Sequence, residues 1–157
     1  MRIRSDLDGL ESLPLRLMIV AVVATMSVVP AATMLETLQA KEFMNRAALQ
    51  LEKIVSAVQV LAIEGPGGVR TLSLEFGSQG ELRFRGLVMG DDQGGPNMSS
   101  VQLLLSNGAR MVRTSSEPPV WLRDASGHGL TVSAPACDLR LSAVLEDGLL
   151  SIVAEAS

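Results

Sequence analysis

The sequence predicts an α+β chain, a long N-terminal helix followed by a small antiparallel β-sheet or sandwich. Three observations predict it. Residues 17–35 carry no charge. Residues 36–62 contain neither Gly nor Pro and repeat apolar side chains at helical spacing. Beyond Gly65-Pro66-Gly67-Gly68 the apolar period changes to two, as in a half-buried strand.

The uncharged stretch is read first. It holds Leu17, Val20 and Val23 among mostly aliphatic neighbours, bracketed by Arg16 and Glu36. Roughly 20 apolar residues rising about 1.5 Å each match a hydrocarbon core of about 30 Å. In lipid a lone segment satisfies its own backbone only as a helix. Pro30 removes one helical hydrogen bond and is expected to kink the segment. The stretch reads as a membrane segment or an export signal, able to insert in a lipid bilayer. Arg2, Arg4 and Arg16 precede it and Lys41 and Arg46 follow, so the positive-inside rule places the N-terminus inside and the bulk of the chain outside.

The helix is expected to continue to the glycine-rich break. At about 100° per residue, Met44, Ala48, Leu51, Val55, Val58 and Ala62 fall within roughly ±40° of one line, with Ala47 and Ile54 alongside. Lys41, Glu42, Asn45, Arg46, Glu52, Lys53, Ser56 and Gln59 gather opposite. Two apolar residues, Leu49 and Val60, fall on the polar side. They lie about three turns apart along one line, where a neighbouring subunit's helix would cover them.

After the break, Leu72, Leu74 and Phe76 alternate with polar residues, and residues 81–88 repeat the pattern. Residues 101–105 and 109–113 are joined by Asn107-Gly108, and 139–145 and 149–154 by Asp147-Gly148. Both dipeptides supply the positive φ of a type I′ hairpin turn. Loops rich in turn formers fill 91–100 and 115–129. The distal part is expected to be an antiparallel sheet or sandwich of about six or seven strands.

Composition argues against several function classes. The net charge is −4 with 3% aromatics and no Tyr, so the chain lacks the basic patch and stacking platforms of a nucleic-acid binder. Cys137 is the only cysteine and reads as a small buried residue rather than a cross-link. The lone His128, between Gly127 and Gly129, reads as a solvated turn residue. His128 and Cys137 together fall short of a zinc ligand set. Asp91, Asp92 and Asp124 lack the spacing of a calcium loop and read as solvated. Residues 90–95 lack the lysine and the strand–loop–helix setting of a phosphate loop. Trp121 reads as packing over the sheet end. With no acid–base or nucleophilic constellation, no enzyme, metal or cofactor is expected.

A polar leader ending in Gly9, an apolar helix, an amphipathic continuation and an all-β tail together resemble the archaeal type IV pilin-like proteins, the class III signal peptide family. The run Leu10-Glu11-Ser12-Leu13-Pro14-Leu15-Arg16-Leu17 is similar to the helix start of one archaeal branch. Gly67-Gly68-Val69-Arg70-Thr71-Leu72-Ser73-Leu74 and Asp138-Leu139-Arg140-Leu141 are similar to its strand signatures. Asp8 stands where family leaders often carry Lys or Arg, and Pro14 where bacterial relatives carry Glu. The resemblance implies cleavage after Gly9 by a prepilin-type peptidase, leaving Leu10 as the mature start. The implied organisation is a leader over 1–9, a helix over 10–64 with its membrane and assembly half at 17–35, and an extracytoplasmic β domain over 65–157. The expected function is a structural subunit of a type IV pilus-like surface filament or related membrane-anchored assembly, with copies of itself or other pilin-like subunits as partners. The alternative is a non-assembling β-domain protein, anchored or secreted, that binds a ligand or partner. Chain starts at Met1, Leu10 or Ala32 distinguish no processing, prepilin cleavage and conventional secretion.

Overall fold

The computed structural model describes residues 8–79, 82–115 and 119–157, without the side chains of 8–13, 27–31 and 79. The Arg2 and Arg4 expectation lies outside the described residues, as do residues 1–7 of the expected leader. Pro30 falls within helix α1, Asp8–Glu64, but its side chain lies outside the description.

The chain divides into two compact units, Met1–Gln39 and Ala40–Ser157. In the first, the described side chains all belong to α1. The expected apolar membrane half is corrected here: among the described residues, no helix is long and apolar enough to cross a membrane.

The second unit is a mixed α+β domain. The strands among its described residues are β1 (Val69–Glu75), β2 (Ser78–Gln79), β3 (Leu82–Met89), β4 (Ser100–Leu105), β5 (Arg110–Thr114), β6 (Trp121–Arg123), β7 (Leu130–Val132), β8 (Ala136–Glu146) and β9 (Leu149–Ala156). They form a four-stranded sheet in the order β1-β8-β9-β6 and a five-stranded sheet in which β7 also pairs with β3. The expected purely antiparallel arrangement is corrected as well, because β6 runs parallel to β9, with Leu122 opposite Ile152. Its three residues sit inside what reads as a loop, too short to show a period.

One core joins the sheets to the last turns of α1. Phe43, Ala47, Leu51, Ile54, Val58 and Leu61 are buried on the helix, against Leu74, Leu87, Leu103, Leu122, Leu139 and Ile152 from the strands. The buried line of the helix is rotated from the expected one. Phe43, Ile54 and Leu61 take its centre, and Met44, Val55 and Ala62 are only partly buried beside it. The apolar arc is wider than the stripe counted from sequence, so its centre moves toward the largest side chains.

Local turn chemistry explains the hairpins. At the β8–β9 turn Asp147 and Gly148 have φ of 50° and 80°, the type I′ geometry expected. At the β4–β5 turn Gly108 has φ 82° while Asn107 stays negative. Gly108 N–H donates to Leu105 O at 3.0 Å. This is a type I turn closed by a left-handed glycine, a three-residue loop rather than the expected two.

Candidate functional site

Among the described residues, the features that stand out are surfaces. In the first unit, the large apolar side chains of residues 15–26 are 47–73% exposed, with Leu17 at 66%, Val20 at 64% and Val23 at 56%. Met34, Leu35 and Leu38 are exposed as well. Two threonine hydroxyls here turn inward on the helix itself. Thr25 Oγ1 donates to Ala21 O at 3.0 Å and to Val22 O at 2.9 Å. Thr37 Oγ1 donates to Thr33 O at 2.8 Å. Threonines that bond their own backbone present methyl groups outward and need no partner from the surroundings. Exposed leucines, valines and methionines with self-satisfied hydroxyls make a surface suited to apolar cover.

In the second unit, Leu49 is 70% exposed and Val60 37% exposed. Both lie away from the buried line of Leu51, Ile54 and Val58, so the register of the helix, once corrected, still leaves them outside. Leu49 borders a shallow apolar groove with Asn45, Ala48 and Glu52. Val60 borders another with Lys53, Ser56, Ala57, Arg70, Thr71 and Leu72. The processing pair, Gly9 and Leu10, lies within the bounds of α1, and their side chains are outside the described residues.

The polar residues singled out in the sequence form one small loop cluster. His128 Nδ1 lies 2.7 Å from Asp92 Oδ1. A carboxylate only accepts, so the imidazole donates, and this bond is the main cause that raises the His128 pKa above its usual value. Asp124 Oδ1 accepts the amides of Ser126 at 2.8 Å and His128 at 3.0 Å. The His128 amide is the first cause holding the Asp124 carboxyl below the ordinary range, followed by the Ser126 hydroxyl. Trp121 Nε1 donates to Asp91 O at 2.9 Å. These contacts tie loop 90–99 to loop 124–129. Gly90 permits the approach: its φ is 73°, and a Cβ there would stand 1.8 Å from Leu122 O. Sequence spacing hides the His128–Asp92 pair, because the two residues are far apart in the chain.

Among the described residues, no group of three or more His, Cys, Asp or Glu side chains is placed to hold a metal. Cys137 is half-buried, and burial raises its thiol pKa. Arg123 is the buried charge among the described residues: it lies over the Trp121 ring at 5.1 Å, donates to Ser151 Oγ at 3.2 Å and pairs with Glu146 at 2.7 Å. Arg123 is thus satisfied within the sheet, a structural role.

No family model matches this chain, and neither a curated protein nor a solved structure does.

Proposed function

We propose that this chain is a non-enzymatic structural subunit of a type IV pilus-like surface filament, displayed outside the cell. The exposed apolar surface of residues 15–26 carries this reading. Eight large apolar side chains stand open to water there, and full burial of each is worth roughly 1.5–3 kcal/mol. The gross driving force for covering them is therefore on the order of 10 kcal/mol, before the entropy of association is subtracted. Helices of neighbouring copies, or of other pilin-like subunits, supply a matching cover. Leu49 and Val60, which the domain leaves outside its own core, offer a second apolar surface of the same kind. Cleavage after Gly9 by a prepilin-type peptidase would release the subunit for assembly.

The rival reading is a non-assembling protein whose β domain binds a ligand or partner. Leu49→Glu combined with Val60→Lys separates the two. In a filament subunit the double variant loses filaments by electron microscopy while the β domain stays folded. Filaments of normal number and length in the variant would remove the helix surface from the interface and favour the rival.

A further inference from the structure

The five-stranded sheet has two unlike faces, and its register assigns the side chains. Residues directly opposite across an antiparallel pair project to the same face. Leu87 and Met111 both oppose Leu103, on the core side. Gly86 and Arg110 both oppose Leu104, and Val88 and Val112 both oppose Gln102, so these residues share the outer face. The register shifts between Phe84 and Gly86, which places Arg85 beside Gly86 as the extra residue of a bulge. Phe84 opposes the buried Leu105, so its neighbour Arg83 projects outward too.

Arg83, Arg85 and Arg110 thus gather at one end of the outer face, where β3 begins and β5 begins. All three are exposed. Among the described residues none of them has an ion pair, whereas Arg46, Arg70, Arg113 and Arg123 each pair with a glutamate. Beside them lie the half-buried Leu104 and the exposed Val112. Guanidinium groups are weakly hydrated and suit carboxylates at an interface.

At the other end of β3 the sign reverses. Asp91 and Asp92 follow the strand, and the His128 bond holds the Asp124 loop beside them. Eight residues from Arg83 to Asp91 at about 3.3 Å each separate the two ends by roughly 25 Å. The domain therefore carries a basic end and an acidic end along one strand.

We propose that these ends dock head to tail: the Arg83, Arg85 and Arg110 face of one copy receives the Asp91, Asp92 and Asp124 end of the next. A second copy is the fitting occupant because the chain itself supplies the complementary carboxylates. Its net charge of −4 disfavours approach to unrelated polyanions. Two different patches make a heterologous contact, which propagates into an open line instead of closing on itself. The contact deepens the filament reading above and rests on it, adding charge pairing between domains to apolar pairing between helices.

The test uses the full chain in a non-ionic detergent, with sedimentation velocity at about 0.05 M and about 0.5 M NaCl, since the higher salt cuts screening lengths to a few ångströms. Species larger than the monomer are expected at low salt and lost at high salt. The face variant Arg83→Glu, Arg85→Glu, Arg110→Glu and the end variant Asp91→Lys, Asp92→Lys should each be monomeric alone. Mixed in equal amounts, they should associate again, because each then offers what the other lacks. Trp121 emission and circular dichroism check folding. If a reversal unfolds the domain, the Arg→Gln and Asp→Asn versions replace it, and loss of the larger species is again expected. A monomeric wild-type chain at low salt, or a mixture of folded variants that stays monomeric, overturns the contact. Association that survives reversal and high salt also overturns it, while leaving the helix-based filament reading intact. That reading fails separately, when Leu49→Glu with Val60→Lys assembles normally.

Discussion

The Nδ1–H of His128 donates to Asp92 Oδ1 at 2.7 Å, joining two loops that lie far apart in sequence. Both side chains are largely exposed, at 70% and 73%, so salt screens the pair and its contribution to stability is small. Its titration is still informative. The folded pKa of His128 is raised above the usual value of about 6.5. Stabilisation by this pair is therefore complete below that usual value and is lost as pH rises through the folded one. An NMR titration of the His128 ring should show a midpoint above that of a model peptide. Asp92→Asn should bring it down. An unmoved midpoint in the variant would remove Asp92 as the cause.

Glycine substitutions should separate backbone strain from crowding. Gly148 has φ 80° with open space around a would-be Cβ, while Gly90 has φ 73° and meets Leu122 O at 1.8 Å. Gly148→Ala should cost about 1 kcal/mol, and Gly148→Val somewhat more. Gly90→Ala should cost about 3 kcal/mol or more, because the loop must also shift. Urea unfolding followed by Trp121 fluorescence measures both, and equal costs would contradict the close approach of Gly90 to β6.

The rotated face of α1 gives a third expectation. Ile54 is fully buried, whereas Val55 is only partly so. Ile54→Ala should destabilise by about 2–5 kcal/mol, and Val55→Ala by about 1 kcal/mol. The reverse order in denaturant melts would restore the stripe centred on Val55.

Processing is checked at the N-terminus. Gly9→Val places a branched side chain beside the bond that a prepilin-type peptidase would cut. A longer precursor should accumulate, visible by gel mobility and by mass spectrometry of the N-terminus. Identical products from both proteins would set prepilin cleavage aside.

Much of the β domain was legible because its strands keep a clean period of two between turn formers. Leu72, Leu74 and Phe76 declare β1, and Asp147-Gly148 declares the last hairpin, down to its positive φ angles. What escaped lacked a local signature. Trp121, Leu122 and Arg123 make a strand only because β9 lies alongside, a parallel pairing that sequence spacing cannot announce. The centre of the helix face escaped for a different reason. Apolar residues extend to both sides of Ile54, so counting gave an arc without deciding which edge met the sheets. Leu49 and Val60 stood outside the arc under either choice, and their exposure was readable from the start. The apolar half of α1 is the opposite case: its uncharged run reads as a span, but among the described residues no helix is long and apolar enough to cross a membrane.

The strand order β1-β8-β9-β6 also sets a timetable for folding. Leu72 of β1 is opposite Leu139 of β8, so the first strand to leave the ribosome has no partner until nearly the whole domain has been synthesised. The β8–β9 hairpin can close by itself, but β1 must bridge a long loop, and such distant pairings slow folding. Meanwhile, the nascent chain holds Leu51, Ile54 and Leu74 in water. A ribosome stalled before Ala136 would therefore carry a half-made domain with its helix face uncovered, the species most prone to capture by chaperones or by its own kind.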